Sequence, residues 1–104
     1  MTLRIFIDRD AIAGFCRRWR ISELSFFGSI TRDDFRPDSD VDVLVTFEKD
    51  ADWSLFDHVR MERELAEILG RKVDLLTRRA VERSTNWLRR KKIMEGAESF
   101  YVAG

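Results

Sequence analysis

The chain has 104 residues, 44% of them hydrophobic, enough for one core and one domain spanning 1–104. Its 19 basic and 19 acidic residues cancel to a net charge of zero, which argues against non-specific nucleic-acid binding through overall positive charge. No apolar run approaches the ~20 residues needed to span a bilayer, the N-terminus has no signal-peptide pattern, and the single cysteine, Cys16, excludes an internal disulfide. A cytoplasmic protein is expected.

Ile12, Phe15, Cys16 and Trp19 recur at helical spacing behind a candidate cap, Asp8, and predict a helix over about residues 8–19 with Cys16 as a small buried hydrophobe. Leu24-Ser25-Phe26-Phe27 reads as a short buried strand stopped by Gly28. From Gly28 to Ser39 the chain is rich in Asp, Ser, Arg and Gly and holds the only proline, Pro37, so it reads as a loop. Val41, Val43, Val45 and Phe47 alternate with Asp42, Leu44 and Thr46 as a second strand.

Leu55, Val59, Leu65, Ala66 and Leu69 predict the apolar face of a helix over Ser54–Leu69, closed by Gly70. Lys72–Leu76 follows as a third strand, Arg79–Met94 as a helix and Glu98–Val102 as a last short strand. The order α-β-β-α-β-α, with a final β, gives an α/β (α+β) fold. Trp19, Trp53 and Trp87 are expected to pack the core or cover its edges, and His58 receives no role.

Charge is uneven along the chain. Acids gather between Asp33 and Asp52 and bases between Arg78 and Lys92, a division that suits a substrate carrying phosphates. The run Arg89-Arg90-Lys91-Lys92 reads first as a solvated helix face and second as an interface for an acidic partner or RNA.

Asp40 and Asp42 stand two apart at the start of a strand, so their carboxylates leave one sheet face. Two like charges held that close favour neutralisation by a cation, and hard oxygen donors suit Mg²⁺. Asp74, an acid within the apolar strand Lys72–Leu76, is the candidate for completing a two-metal site. Gly28 and Ser29 end a strand and open a turn in which backbone N–H groups and a hydroxyl can cradle phosphate oxygens. A calcium loop is set aside, because counting from Asp38 the sixth position is Val43 and the twelfth Lys49.

The run Leu24-Ser25-Phe26-Phe27-Gly28-Ser29, then Arg32, then Arg36-Pro37-Asp38-Ser39-Asp40-Val41-Asp42-Val43-Leu44-Val45, resembles the signature of minimal nucleotidyltransferases of the DNA polymerase β superfamily. Lys72-Val73-Asp74-Leu75-Leu76 and the segment from Ile93 to Tyr101 extend the resemblance over nearly the whole chain. It implies a polymerase-β-like nucleotidyltransferase core, a small mixed β-sheet flanked by helices.

In that core, the resemblance implies that Asp40 and Asp42 hold two Mg²⁺ ions, and that Asp74 helps bind one and orients or deprotonates the acceptor. Gly28 and Ser29 hold the triphosphate of ATP, with Arg32 assisting. One departure is visible: Asp33 stands where relatives commonly have glycine. Members of this size are often antitoxins of two-gene modules with a HEPN-domain ribonuclease toxin, transferring AMP from ATP to a tyrosine hydroxyl of that partner. The expectation is therefore a hetero-oligomeric protein adenylyltransferase; the alternatives are an antitoxin that neutralises by binding alone, or a transferase acting on a small molecule or an RNA end.

Overall fold

A computed structural model describes residues 7–31 and 40–103. The elements are α1 (Arg9–Arg18), β1 (Ile21–Phe27), a 3-10 turn (Gly28–Thr31), β2 (Val41–Phe47), α2 (Leu55–Leu69), β3 (Val73–Thr77), α3 (Arg78–Glu82), α4 (Trp87–Gly96) and β4 (Glu98–Val102). The strands form one sheet in the order β3-β2-β1-β4. β1 pairs antiparallel with β2 and β4, whereas β2 and β3 run parallel, with α2 as the crossover between them. This is the mixed sheet flanked by helices that the sequence predicts.

Local chemistry sets the helix ends. Asp8 caps α1 by accepting from the N–H groups of Asp10 and Ala11 at 3.0 and 3.2 Å. Ser54 and Asp57 form a reciprocal capping box at the start of α2, and Gly70 ends it in the left-handed conformation at φ 66°.

Alternation divides the sheet into two faces. Leu24, Phe26, Val41, Val43, Val45, Val73 and Leu75 join Ile12 and Phe15 of α1 and Met61, Leu65 and Leu69 of α2 in the main core. Cys16 is buried there, and burial, against the weaker pull of Arg17, pushes its thiol up to about 12. On the other face Phe27 and Leu44 meet Val81 of α3 and Ile93 of α4 in a smaller cluster, with Leu76 packed against it.

Four expectations shift. β1 starts at Ile21 rather than Leu24, because Ile21 and Glu23 find partners in Phe47 and Thr46 of β2. β3 runs one residue later than expected, to Thr77, whose hydroxyl caps α3 by accepting from Ala80 N–H. The helix expected over Arg79–Met94 is two helices, broken where Ser84 accepts from Asn86 N–H and Asn86 in turn caps α4 by accepting from Arg89 N–H.

The fourth shift is rotational. α2 turns Met61, Leu65 and Leu69 to the core and leaves Leu55 79% and Val59 49% exposed, against the expectation for those two. Trp19 and Trp53 do cover the core edge, ring to ring at 5.1 Å, but Trp87 is 61% exposed on α4.

Candidate active site

The register brings the acids together. Phe27 of β1, Asp42 of β2 and Asp74 of β3 are successive partners across the sheet, so they form one row on one face. That face is the one carrying Leu44 and Leu76, two residues further along β2 and β3. Asp42 is half-buried, Asp74 is exposed, and Asp40, also exposed, lies just before β2. Val41 N–H donates to Lys72 O at 2.9 Å, which ties the entry of β2 to that of β3.

Gly28 closes the row on the β1 side. Its φ of 75° is a conformation that glycine adopts without penalty. A Cβ built at this position would collide with the Oδ2 atom of Asp42 and stand 3.2 Å from its Cγ. The Asp42 carboxylate therefore occupies the space that any other side chain would need, and Gly28 is required twice over. Ser29 follows in the 3-10 turn, which Ile30 anchors by full burial in the main core. Arg32, with Asp33 and the rest of the loop to Ser39, lies outside the described residues.

Asp42, Asp74 and Gly28 are thus gathered by the backbone itself. Among the described residues, no three Asp, Glu, His or Cys side chains stand close enough to hold a metal ion as they are. The donor set nonetheless fits a hard divalent cation, being all carboxylate oxygen and drawn from two in-register parallel strands beside a turn.

Between the end of β3 and the helices α3 and α4, a recess of about 290 Å³ is lined by Leu76, Val81 and Ile93 and by Arg89 and Arg90. Arg90 donates to Glu82 O and Ser84 O at 3.4 and 3.2 Å, fastening the break between α3 and α4. Arg89 and Arg90 of the basic stretch thus border a recess that Leu76, two residues beyond Asp74 on β3, also lines.

Two residues given no role by sequence reasoning sit behind the row. Leu75 N–H donates to Glu62 Oε2 at 2.9 Å, and His58 Nε2 lies 3.1 Å from Leu75 O, a contact that requires Nε2 to carry the hydrogen. The signal in the sequence was a polar pair at i and i+4 flanking Met61, where a core-facing helix should be apolar.

Known proteins resemble this chain in sequence and in fold. The chain is 44% identical over 57 residues to a Methanocaldococcus jannaschii protein provisionally named a protein adenylyltransferase, the match covering 55% of this chain and 59% of that one. It is 37% identical over 65 residues to the protein adenylyltransferase MntA of Thermococcus cleftensis, covering 62% and 64%. The chain thus spans about three fifths of the length of the curated relatives it matches.

Among solved structures, one described as a minimal nucleotidyltransferase is 33% identical, with 86% of each chain covered and a TM-score of 0.66. Two others show the fold alone. A toxin–antitoxin complex with AMP-PNP has a TM-score of 0.70 at 16% identity, covering 93% of this chain and 75% of that one. A tri-AMPylated Shewanella oneidensis HEPN toxin in complex with its MNT antitoxin has a TM-score of 0.62 at 15% identity, covering 91% and 70%. The sequence profile of the nucleotidyltransferase domain matches residues 9–99, so with its acid row, its glycine turn and this sheet the chain belongs to the nucleotidyltransferase domain family.

Proposed function

We propose that this chain is a Mg²⁺-dependent adenylyltransferase that moves AMP from ATP onto a tyrosine hydroxyl of a HEPN-domain toxin and thereby neutralises it. The observation that carries this reading is the Asp42–Asp74 pair, in register on adjacent strands, with the Asp42 carboxylate against the Gly28 turn. The adenylyltransferase names of the relatives support the choice of AMP. The complexes among the fold neighbours support a toxin as acceptor.

The residues divide the work as follows. Gly28 leaves room for the Asp42 carboxylate to lie against the turn, and the backbone N–H groups of the turn, with Ser29 next to Gly28, would receive polyphosphate oxygens. Asp40, Asp42 and Asp74 would hold Mg²⁺, which when bound would neutralise the acids and the polyphosphate and polarise the α-phosphoryl group. Asp74, the exposed member of the row, faces the acceptor and takes the proton of its hydroxyl. The acceptor oxygen bonds to the α-phosphorus, the bond from that phosphorus to the bridging oxygen breaks, and pyrophosphate leaves. Arg89 and Arg90 add positive charge on the same side of the sheet as the anionic substrate. Arg32 is proposed as a further phosphate contact.

The test is the intact mass of the cognate toxin after incubation with this protein, ATP and Mg²⁺, beside Asp40→Ala/Asp42→Ala. Gains of whole AMP units with the wild type alone are expected. A tight complex with no mass gain would replace this reading with neutralisation by binding.

A further inference from the structure

Among the described residues β3 is an edge strand, and the outward backbone groups of an edge strand have no ladder partner. Asp74 pairs toward β2, so the next residue, Leu75, turns its N–H and C=O away from the sheet. Both groups are met from α2, by Glu62 at 2.9 Å and by His58 at 3.1 Å. The helix that supplies them is itself fixed, since Met61, Leu65 and Leu69 are buried in the main core. Leu75, the neighbour of Asp74, is therefore fastened at both of its outward polar groups.

We propose that Glu62 and His58 are positioning residues, which clamp β3 at Leu75 and so hold the Asp74 carboxylate beside Asp42. The inference rests on the role given to Asp74 under the proposed function. Its physical basis is that a hydrogen bond to a carboxylate is stronger than one between neutral groups, so Glu62 is the firmer half of the clamp. His58 supplies the second bond and fixes its own tautomer in doing so. Without the clamp the side chains of Val73 and Leu75 still anchor the strand in the core, so the fold persists while the edge backbone gains freedom. Misplacing a catalytic group by about 1 Å can lower a rate by roughly a hundredfold.

Glu64 provides the control. It lies on the same helix and accepts two bonds of similar length, from Arg18 at 2.9 Å and from the Trp19 indole at 2.7 Å, but these tie α2 to α1 and not to β3. Glu62→Ala, Glu62→Gln, His58→Ala and Glu64→Ala are compared with the wild type by amide hydrogen exchange at Leu75, by Mn²⁺ affinity, and by kcat and KM for ATP with the cognate toxin. Glu62→Ala is expected to speed exchange at Leu75, weaken Mn²⁺ binding and lower kcat by about tenfold to a hundredfold with KM for ATP nearly unchanged.

Glu62→Gln keeps an oxygen that accepts from Leu75 N–H and should recover part of each loss, while His58→Ala should show the same pattern more weakly. Glu64→Ala should lower thermal stability and leave exchange at Leu75, Mn²⁺ affinity and kcat at wild-type values. The proposal is overturned if Glu62→Ala keeps wild-type Mn²⁺ affinity and kcat, or if Glu64→Ala lowers them equally. Should the wild type transfer nothing, the functional reading fails instead, and exchange and Mn²⁺ affinity alone then support or overturn the clamp.

Discussion

The two faces of the sheet differ in how they are covered. Toward α1 and α2 the strands present aliphatic and aromatic side chains to two well-capped helices, and Phe26 stacks edge to face on Phe100 at 5.3 Å. Toward α3 and α4 the cover is two short helices, and the row nearest the Gly28 turn carries acids. The first face stabilises the molecule, and the second leaves its charged row accessible. Alternation along β2 and β3 is what allows both, since each strand gives its odd-numbered residues to the main core and its even-numbered ones, Asp42 and Asp74 first and then Leu44 and Leu76, to the other face.

Substitutions can break that division or sharpen it. Phe26→Ala empties a fully buried site on the core face and should cost about 3–5 kcal/mol in chemical denaturation. Asp42→Asn, on the opposite face, should move the denaturation midpoint far less while lowering AMP transfer at least about a hundredfold, as loss of one preorganised electrostatic group does. Gly28→Ala strikes where β1 meets the site. It should cost about 1–2 kcal/mol for the left-handed backbone, and, by displacing the Asp42 carboxylate, abolish transfer as well.

Smaller effects test the frame around the core. Ser54→Ala removes a helix cap and should cost about 1 kcal/mol. The same contact has a pH signature: the Ser54 backbone N–H and then its hydroxyl hold the Asp57 carboxyl below its ordinary 3.8. A lowered folded value means that the contribution is present above 3.8 and is lost as acid carries the pH down through the folded value. Titrating Asp57 by NMR in the Ser54→Ala protein should show the value move back up. Leu55→Ser, at a site 79% exposed, should change stability by no more than about 0.5 kcal/mol, which would place that position outside the core.

Much of this was legible in advance because particular residues allow few choices. The β-branched alternation from Val41 to Phe47 fixes a strand whose aspartate leaves opposite the core, and Ser54 with Gly70 brackets α2. Asp74 could be read as the acid that completes a site with Asp40 and Asp42, but its in-register pairing with Asp42 could not, since register is a long-range property. The break at Ser84–Asn86 was hidden within a stretch of charged residues that suit a helix equally well on either side. The rotation of α2 escaped as well: Leu55 and Val59 continue the apolar pattern, yet the sheet is reached by His58, Met61 and Glu62. A helix that must satisfy an edge strand can turn polar residues inward, and periodicity alone does not anticipate that.

Gly28 comes from the turn after β1, Asp42 from β2 and Asp74 from β3, which a fifteen-residue helix joins to β2. No contiguous stretch of the chain therefore carries the site. During synthesis, a ribosome that has released Asp42 but not Asp74 has made the motif without its partner, and the acid row can exist only after α2 has carried the chain across the sheet. Among the described residues β4 pairs with β1, at the opposite border, so the row does not wait for it. The acid row is then completed with the parallel pairing of β2 and β3, and under the proposed function nucleotide turnover would serve as a reporter of that step.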